Sequence, residues 1–140
     1  MEDTVDNVDK LLYGNMAIWI EQRRVVLKQL IKVMKAMSEP NRVKILKLLQ
    51  QKEFCVCELQ ALLELAQPTI SKHLKLLEDA GLVESYKDKL FVNYRPASGK
   101  ESVYAHTLQK NLRGWLKDDP EIANLLLKSF QVNRETLCSK

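Results

Sequence analysis

The stretch of this sequence that most constrains the fold is residues 53–83. Here two apolar stripes at helical spacing are separated by residues that favour the start of a new helix. The first stripe comprises Val56, Leu59, Leu62, Leu63 and Ala66, and the second comprises Ile70, Leu74 and Leu77. Gln67-Pro68 marks the start of the second helix, because proline fits the first turn, where its missing N–H leaves no bond unmade. Gly81 fits a left-handed cap after the last turn. The stretch therefore predicts two helices joined by a short turn.

A short basic hairpin is predicted to follow these helices. Residues 82–86 and 90–95 are rich in Val, Tyr and Phe and read as two strands joined by Lys87-Asp88-Lys89. Two helices, the second with a polar face, followed by a basic hairpin predict a winged helix-turn-helix. The helix-turn-helix would occupy residues 55–80 and the wing residues 82–95.

The polar face of the second helix is the predicted DNA-binding surface. In helix-turn-helix proteins the N-terminal part of this helix contacts base edges in the major groove. Thr and Ser can hydrogen-bond bases or phosphates, and Lys neutralises phosphate. The candidate DNA-binding residues are Gln67, Thr69, Ser71, Lys72, His73 and Lys75 on the helix, with Lys87 and Lys89 on the wing.

Two cysteines, Cys55 and Cys57, stand where the first of these helices begins. On a straight helix, side chains two residues apart point about 200° apart, so gripping one ion would require the first turn to open. Thiolates select soft, thiophilic ions. Trivalent arsenic or antimony prefers three sulfurs, and Cys138 is the candidate for the third metal ligand, from the same or a partner subunit. Oxidation of the pair is the alternative chemistry.

These pieces together resemble the ArsR/SmtB family of metal-sensing winged-helix repressors. Residues 54–59, Phe-Cys-Val-Cys-Glu-Leu, resemble its metal box, and residues 67–77 resemble its recognition helix. Residues 81–83 with 92–95 resemble its wing. The resemblance implies a homodimer that sits on double-stranded operator DNA and leaves it when As(III) or a related ion binds the cysteines. Repressors of this family that respond to Cd, Pb or Zn, or to thiol oxidation, remain alternatives.

Composition and length exclude several other classes of protein. The chain has 140 residues, a net charge of +4 and three cysteines, which fits one domain and argues against a disulfide framework. No apolar run of membrane-spanning length and no signal-peptide pattern is found, so we expect no membrane association and a cytoplasmic protein. A dithiol redox enzyme normally carries Cys-x-x-Cys, which the spacing here does not match, so we expect no enzyme.

Additional helices are predicted on both sides of this core. Residues 15–37 form a long helix with a broad apolar stripe, and Ser38 or Asn41 would cap the next helix, which runs to about residue 50. Residues 101–117 and 119–137 read as two further helices. The expected fold is mainly α with a small β-hairpin, a single domain over residues 1–140. Helices within 15–37 and 101–137 are expected to form the dimer interface.

Overall fold

The computed structural model describes residues 16–99 and 102–138. In this part of the chain seven helices and one antiparallel hairpin follow in order: α1 (Met16–Met37), α2 (Pro40–Gln51), α3 (Val56–Leu63), α4 (Gln67–Asp79), β1 (Val83–Asp88), β2 (Phe91–Pro96), α5 (Val103–Leu112), α6 (Pro120–Ser129) and α7 (Arg134–Cys138). The predicted class, mainly helical with a small hairpin, is confirmed. The predicted start at Asn15 and the polar residues before it lie outside the described residues.

The start of α2 differs from the prediction, because Glu39 rather than Ser38 or Asn41 is its N-cap. The Glu39 carboxylate accepts from the backbone N–H of Arg42 at 3.0 Å, and Pro40 opens the first turn. Ser38 instead closes α1, since its hydroxyl donates to the Lys35 carbonyl at 2.7 Å. A carboxylate at a helix N-terminus satisfies an orphan N–H and is favoured by the helix dipole.

The hydrophobic core lies between α2, α3, α4 and the first strand. Leu59, Ile70, Leu74 and Leu77 of the two predicted apolar stripes are among its fully buried members, and each such residue contributes about 1.5–3 kcal/mol by leaving water. The fully buried members also include Ile45, Leu46, Leu48, Phe54 and Leu82. The helix α1 adds Val33 and Ala36 to this core but leaves Val26, Leu27, Ile31 and Met34 exposed on its other side.

The wing is a tighter hairpin than predicted. Val83 pairs with Pro96 and Asp88 with Phe91, so the strands extend to a two-residue turn of Lys89 and Leu90. Lys87 is therefore part of β1, and the predicted three-residue turn is wrong. The turn closes without glycine because Lys89 takes the left-handed conformation, with φ +57°.

The C-terminal helices are shorter than predicted. The helix expected over residues 101–117 ends at Leu112, and turns and bends fill residues 113–118. The helix expected over 119–137 starts as predicted, since the Asp119 carboxylate caps two N–H groups, but it stops at Ser129. The side chain of Asn133 accepts from the Glu135 N–H at 2.9 Å and begins α7 as a new helix.

Candidate nucleic-acid interface and cysteine box

The helix α4 presents the polar face that the sequence predicts. Gln67, Thr69, Lys72 and Lys75 are exposed and Ser71 is half-buried, whereas the opposite apolar residues are in the core. The preceding turn is set by Glu64, whose left-handed backbone (φ 57°, ψ 43°) ends α3. The carbonyl of Ala66 accepts from the Thr69 and Ile70 N–H groups, both at 3.1 Å, and starts α4. A short, well-defined turn thus projects the N-terminal half of α4 outward.

His73 is placed differently from the other candidates on α4. Its side chain is 12% exposed, Nε2 lies 3.7 Å from the Glu39 carboxylate and Nδ1 lies 3.3 Å from Nη1 of Arg42. Burial lowers the pKa of His73; the Glu39 carboxylate opposes this shift, and the cations Arg42 and Lys72 add to it. The imidazole therefore joins α4 to the start of α2.

Arg42 extends this junction to α1. Its Nε donates to the Ala36 carbonyl at 2.7 Å and its Nη2 to the Lys35 carbonyl at 3.2 Å. Both acceptors lie in the last turn of α1, where carbonyls lack intrahelical partners. One guanidinium thus fixes the angle between α1 and α2 while contacting His73 of α4.

The wing carries both predicted lysines in exposed positions. Lys87 lies on β1 and Lys89 in the turn, next to Leu90, which is 91% exposed. On the helix, Lys75 is already engaged with Asp79 at 3.1 Å, one turn along α4. Lys72, Lys87 and Lys89 are therefore the exposed lysines of this surface for which the described part of the chain records no ion pair.

The base of the wing is braced against the residue that precedes Phe54. The Tyr86 hydroxyl donates to the Glu53 carboxylate, and this bond is the main reason that the pKa of Tyr86 is raised. Arg95 stacks over the Tyr86 ring at 4.5 Å and lies 3.8 Å from Glu53 and 3.7 Å from Glu84. The chain entering the cysteine region is therefore held to both strands of the wing.

Residues 54–58, which we call the cysteine box, connect the wing to α3. Phe54 is fully buried and forms an isolated antiparallel bridge with Tyr94 of β2. Cys55 is the N-cap of α3, with an extended backbone (φ −93°, ψ 173°), and is only 3% exposed. Cys57, inside the first turn, is half-buried. An ion that binds both sulfurs must therefore displace whatever covers Cys55.

The straight-helix geometry considered from the sequence does not apply to Cys55, which is the N-cap of α3. Because Cys55 is outside the helical turn, the angle between the two side chains is not set by the helical repeat. A capping box holds this position: the Cys55 side chain accepts from the Glu58 backbone N–H, and Oε1 of Glu58 accepts from the Cys55 N–H at 2.9 Å. The cap, not the first turn, is what thiol chemistry would have to alter.

Two residues of this site escaped the sequence analysis. Glu58 is 3% exposed, and its Oε1 also accepts from Nη2 of Arg134 at 2.9 Å. The spacing Cys-x-x-Glu at a helix start is a capping-box signal that could have indicated Glu58. Nothing local to Arg134 signals a partner 76 positions earlier.

The third predicted ligand, Cys138, is the last residue of α7, and its side chain lies outside the part of the structure that is described. The helix α7 packs against α3, which carries Cys57. Among the side chains that the structure does describe, no three of His, Cys, Asp and Glu are grouped to hold a metal ion. His106, on α5, is exposed beside Gly99 and is distant in sequence from the cysteine box.

These features define a winged helix-turn-helix protein with a cysteine pair at the start of α3, the first helix of the helix-turn-helix. In residues 16–99 and 102–138 no helix has both the length and the apolarity that crossing a membrane requires. The sequence profile described as "Bacterial regulatory protein, arsR family" matches residues 39–85, which run from the cap of α2 into β1.

Two similar proteins are both named as repressors, in agreement with this match. The chain is 36% identical over 78 residues to the biofilm growth-associated repressor of Agrobacterium fabrum, covering 52% of this chain and 67% of the relative. It is 41% identical over 61 residues to the arsenical resistance operon repressor of Staphylococcus xylosus, covering 44% of this chain. The match spans about three fifths (59%) of that Staphylococcus repressor.

A solved structure agrees as well. The homodimeric winged helix-turn-helix DNA-binding domain from Mycobacterium bovis superposes with a TM-score of 0.56 at 26% identity, covering 71% of this chain and 92% of that domain. The protein belongs to the ArsR family of bacterial regulatory proteins.

Proposed function

We propose that this protein is a transcriptional repressor that binds operator DNA as a homodimer and is released when As(III), Sb(III) or a related thiophilic ion binds its cysteines. The observation that carries the proposal is the position of Cys55 and Cys57. They lie at the start of α3, directly before the helix with the exposed polar face, and Cys55 adjoins a residue paired with the wing. It would act in the cytoplasm as a regulator, without catalysis.

DNA contact is proposed for the outer face of α4 and for the wing. Thr69, Ser71 and Gln67 would approach base edges and phosphates, and Lys72, Lys75, Lys87 and Lys89 would lie along the backbone. His73 would position α4 through Glu39 and Arg42, so we leave it out of the set that reads DNA. The net charge of +4 is compatible with a polyanionic partner.

The homodimer is supported by the apolar side of α1. Four large apolar residues on this helix are exposed although its other side packs on α2, α4 and α5: Val26, Leu27, Ile31 and Met34. A contiguous exposed apolar surface of this kind typically marks an interface. The M. bovis domain is described as homodimeric. A dimer would present two copies of α4 to successive half-sites of a duplex.

The ion site is proposed at the cysteine box. Thiolate sulfurs are the preferred ligands of soft ions, and Cys55 and Cys57 supply two. Cys138 is the proposed third ligand, supported by the packing of α7 on α3. Chelation by Cys55 requires the buried thiol to be uncovered, so the capping box and the neighbouring Phe54 backbone would change. These are the groups that join α3 to the wing.

The test is DNA binding by the full chain, measured by fluorescence anisotropy on the region upstream of its own gene. Arsenite is expected to release the wild-type protein, whereas Cys55→Ser and Cys57→Ser should bind the same DNA and resist release. Cadmium and peroxide are run in parallel. Release by cadmium alone would assign a different ion, and release by peroxide alone would assign oxidation. Tight binding unaffected by all three agents would overturn the proposal.

The number of ligands is tested by sulfur coordination. X-ray absorption on the arsenite-loaded protein should report three As–S bonds in the wild type and two in Cys138→Ser. Two bonds in the wild type would remove Cys138 from the site and leave a dithiol site.

A further inference from the structure

The guanidinium of Arg134 contacts two parts of the molecule that the proposed function requires to communicate. Its Nη2 donates to Oε1 of Glu58 at 2.9 Å, and its Cζ lies 5.0 Å from the centre of the Phe91 ring. Glu58 is the third residue of α3, and Phe91 is the first residue of β2, beside the wing turn. One side chain from α7 therefore touches both the cysteine box and the wing.

The contact with Glu58 bears directly on Cys55. The Glu58 side chain is 4% exposed, and a carboxylate so far from water needs charged or N–H donors. The described structure gives the same oxygen two donors, the Arg134 guanidinium and the Cys55 N–H. The position of the Cys55 backbone is thus fixed by a carboxylate that Arg134 in turn holds in place.

The contact with Phe91 bears on the wing. A guanidinium over an aromatic face is attracted by the ring quadrupole, and its planar shape lets it stack on the ring. The compact ammonium group of lysine stacks poorly. Phe91 is half-buried and pairs with Asp88 to close the hairpin. Movement of the Arg134 guanidinium would therefore shift Phe91, which lies at the base of the two-residue turn that carries Lys89.

We propose that Arg134 is a positioning residue that couples the state of the cysteine box to the orientation of the wing. The inference rests on the proposed function, since it concerns how ion binding at Cys55 and Cys57 reaches the DNA-binding surface. When Cys55 leaves its cap, Glu58 loses one of its donors and shifts, and the guanidinium that it shares with Phe91 shifts with it. The coupling residue lies on α7, beyond the family match at residues 39–85.

A residue that only stabilises the fold could make the same contacts as Arg134. The test must therefore measure the coupling between ion binding at the cysteine box and DNA binding. The quantity is the ratio of DNA dissociation constants with and without saturating arsenite, together with direct binding of arsenite to the protein. Coupling between two sites typically amounts to about 5–150-fold. A residue that only stabilises the fold would change the melting temperature and leave this ratio unaltered.

Three variants separate the two contacts. Arg134→Ala removes both and is expected to lower the release ratio about tenfold while arsenite still binds. Arg134→Lys keeps a charge for Glu58 but loses the planar stack, and Phe91→Leu keeps the Glu58 bond but loses the ring. Both should give the same intermediate ratio, and neither removes the buried charge pair, so both keep the test valid if Arg134→Ala fails to fold. Lys128→Ala, an exposed cation on α6, is the matched control.

The outcomes distinguish this inference from the proposed function. If arsenite does not release the wild-type protein, the proposed function fails and the inference fails with it. If arsenite releases the wild type, and Arg134→Lys and Phe91→Leu show the full wild-type ratio, only the coupling role of Arg134 is overturned. A lowered ratio in both variants, with arsenite stoichiometry and DNA affinity in its absence unchanged, supports it.

Discussion

Phe54 and Tyr94 exchange both of their backbone hydrogen bonds: Phe54 N–H donates to the Tyr94 carbonyl at 3.4 Å, and Tyr94 N–H donates to the Phe54 carbonyl at 2.9 Å. The residue before Cys55 thereby acts as a third, one-residue strand on the edge of the wing. Tyr94 is opposite Ser85 in a non-hydrogen-bonded pair of the hairpin, so its N–H and carbonyl both face outward. The bridge can therefore be broken without removing a hydrogen bond between β1 and β2.

Tyr94→Pro is expected to make the Cys55 thiol more reactive. The substitution removes the stronger of the two bonds, worth about 1 kcal/mol, and a buried thiol reacts only when its surroundings open locally. That loss corresponds to roughly a fivefold faster reaction, since 1.4 kcal/mol is tenfold. The measurement is the alkylation rate of Cys55 in a Cys57→Ser, Cys138→Ser background.

Two controls bracket this prediction: Tyr94→Ala keeps the N–H but loses the half-buried ring that packs on the core, and Val92→Pro places a proline at an exposed position of β2. Only Tyr94→Pro should show the full acceleration. Val92 is two residues earlier on β2, so its N–H faces the same outer edge, but the bridge to Phe54 is formed at Tyr94. Equal acceleration by the two prolines would mean that general loosening of the wing, rather than the bridge, exposes Cys55.

The elements around the site were predictable where the signals were local. Gln67-Pro68 starts α4, and Gly81, with φ +75°, follows its end as expected. The Leu82 N–H donates back to the Leu77 carbonyl at 3.0 Å, closing the last turn. These features depend on residues within five positions of each other, which is the range over which caps and turns act.

The C-terminal helices were predicted less well because their apolar pattern runs across the breaks. Phe130 and Val132 continue the stripe of α6 at helical spacing, yet the helix ends and Asn133 caps α7. Short side chains that hydrogen-bond nearby N–H groups compete with helix continuation. The sequence therefore predicted that residues 119–137 are helical but not that they form two helices.

The contacts that join distant segments were not predictable from the sequence alone. Lys47 is buried, and its Nζ donates to the carbonyls of Leu112 and Trp115, both at 2.9 Å. Its partners lie 65 and 68 positions away. From the sequence, a lysine in the middle of α2 is predicted to be exposed. Its burial follows only from the position of the end of α5, which is a tertiary contact.

Lys47→Met is expected to destabilise the fold by about 1–3 kcal/mol, because it removes both hydrogen bonds that the buried amine donates to the carbonyls of Leu112 and Trp115. Burial lowers the pKa of Lys47, with Lys117 contributing, yet the amine donates hydrogen bonds in either protonation state. Urea denaturation at neutral pH measures the loss. Lys44→Met is the control: Lys44 pairs with an exposed carboxylate of Glu121, so its removal should cost about 0–1 kcal/mol. Equal losses for the two variants would contradict the capping role of Lys47.

His73 is expected to make stability depend on pH. Burial lowers its pKa in the folded state below the ordinary value of 6.5, so the unfolded chain binds a proton more readily. The stability that depends on neutral His73 is therefore present above about pH 6.5 and is lost as the pH falls through the folded pKa. Urea midpoints at pH 7.5 and pH 5 should differ in the wild type and differ less in His73→Gln.

His106→Gln is the control for the pH experiment, because His106 is exposed on α5, where it lies beside Gly99. It should reproduce the wild-type difference between the two pH values. If His73→Gln also reproduces it, the pH dependence originates elsewhere, and the assignment of His73 as a junction residue loses its support from titration.

Lys72→Ala is expected to weaken DNA binding at every salt concentration and to flatten its salt dependence. Lys72 is exposed on the outer face of α4, and the described structure records no ion pair for it, unlike Lys75 with Asp79. Each phosphate contact releases counterions, so the slope of log K against log salt should fall in magnitude by about 0.9 for each Lys72 that contacts a phosphate. Anisotropy titrations from about 50 to 200 mM salt give this slope. Lys128→Ala removes the same charge from α6 and should leave the slope unchanged; an identical change in both variants would show that net charge alone, and not a contact made by α4, sets the affinity.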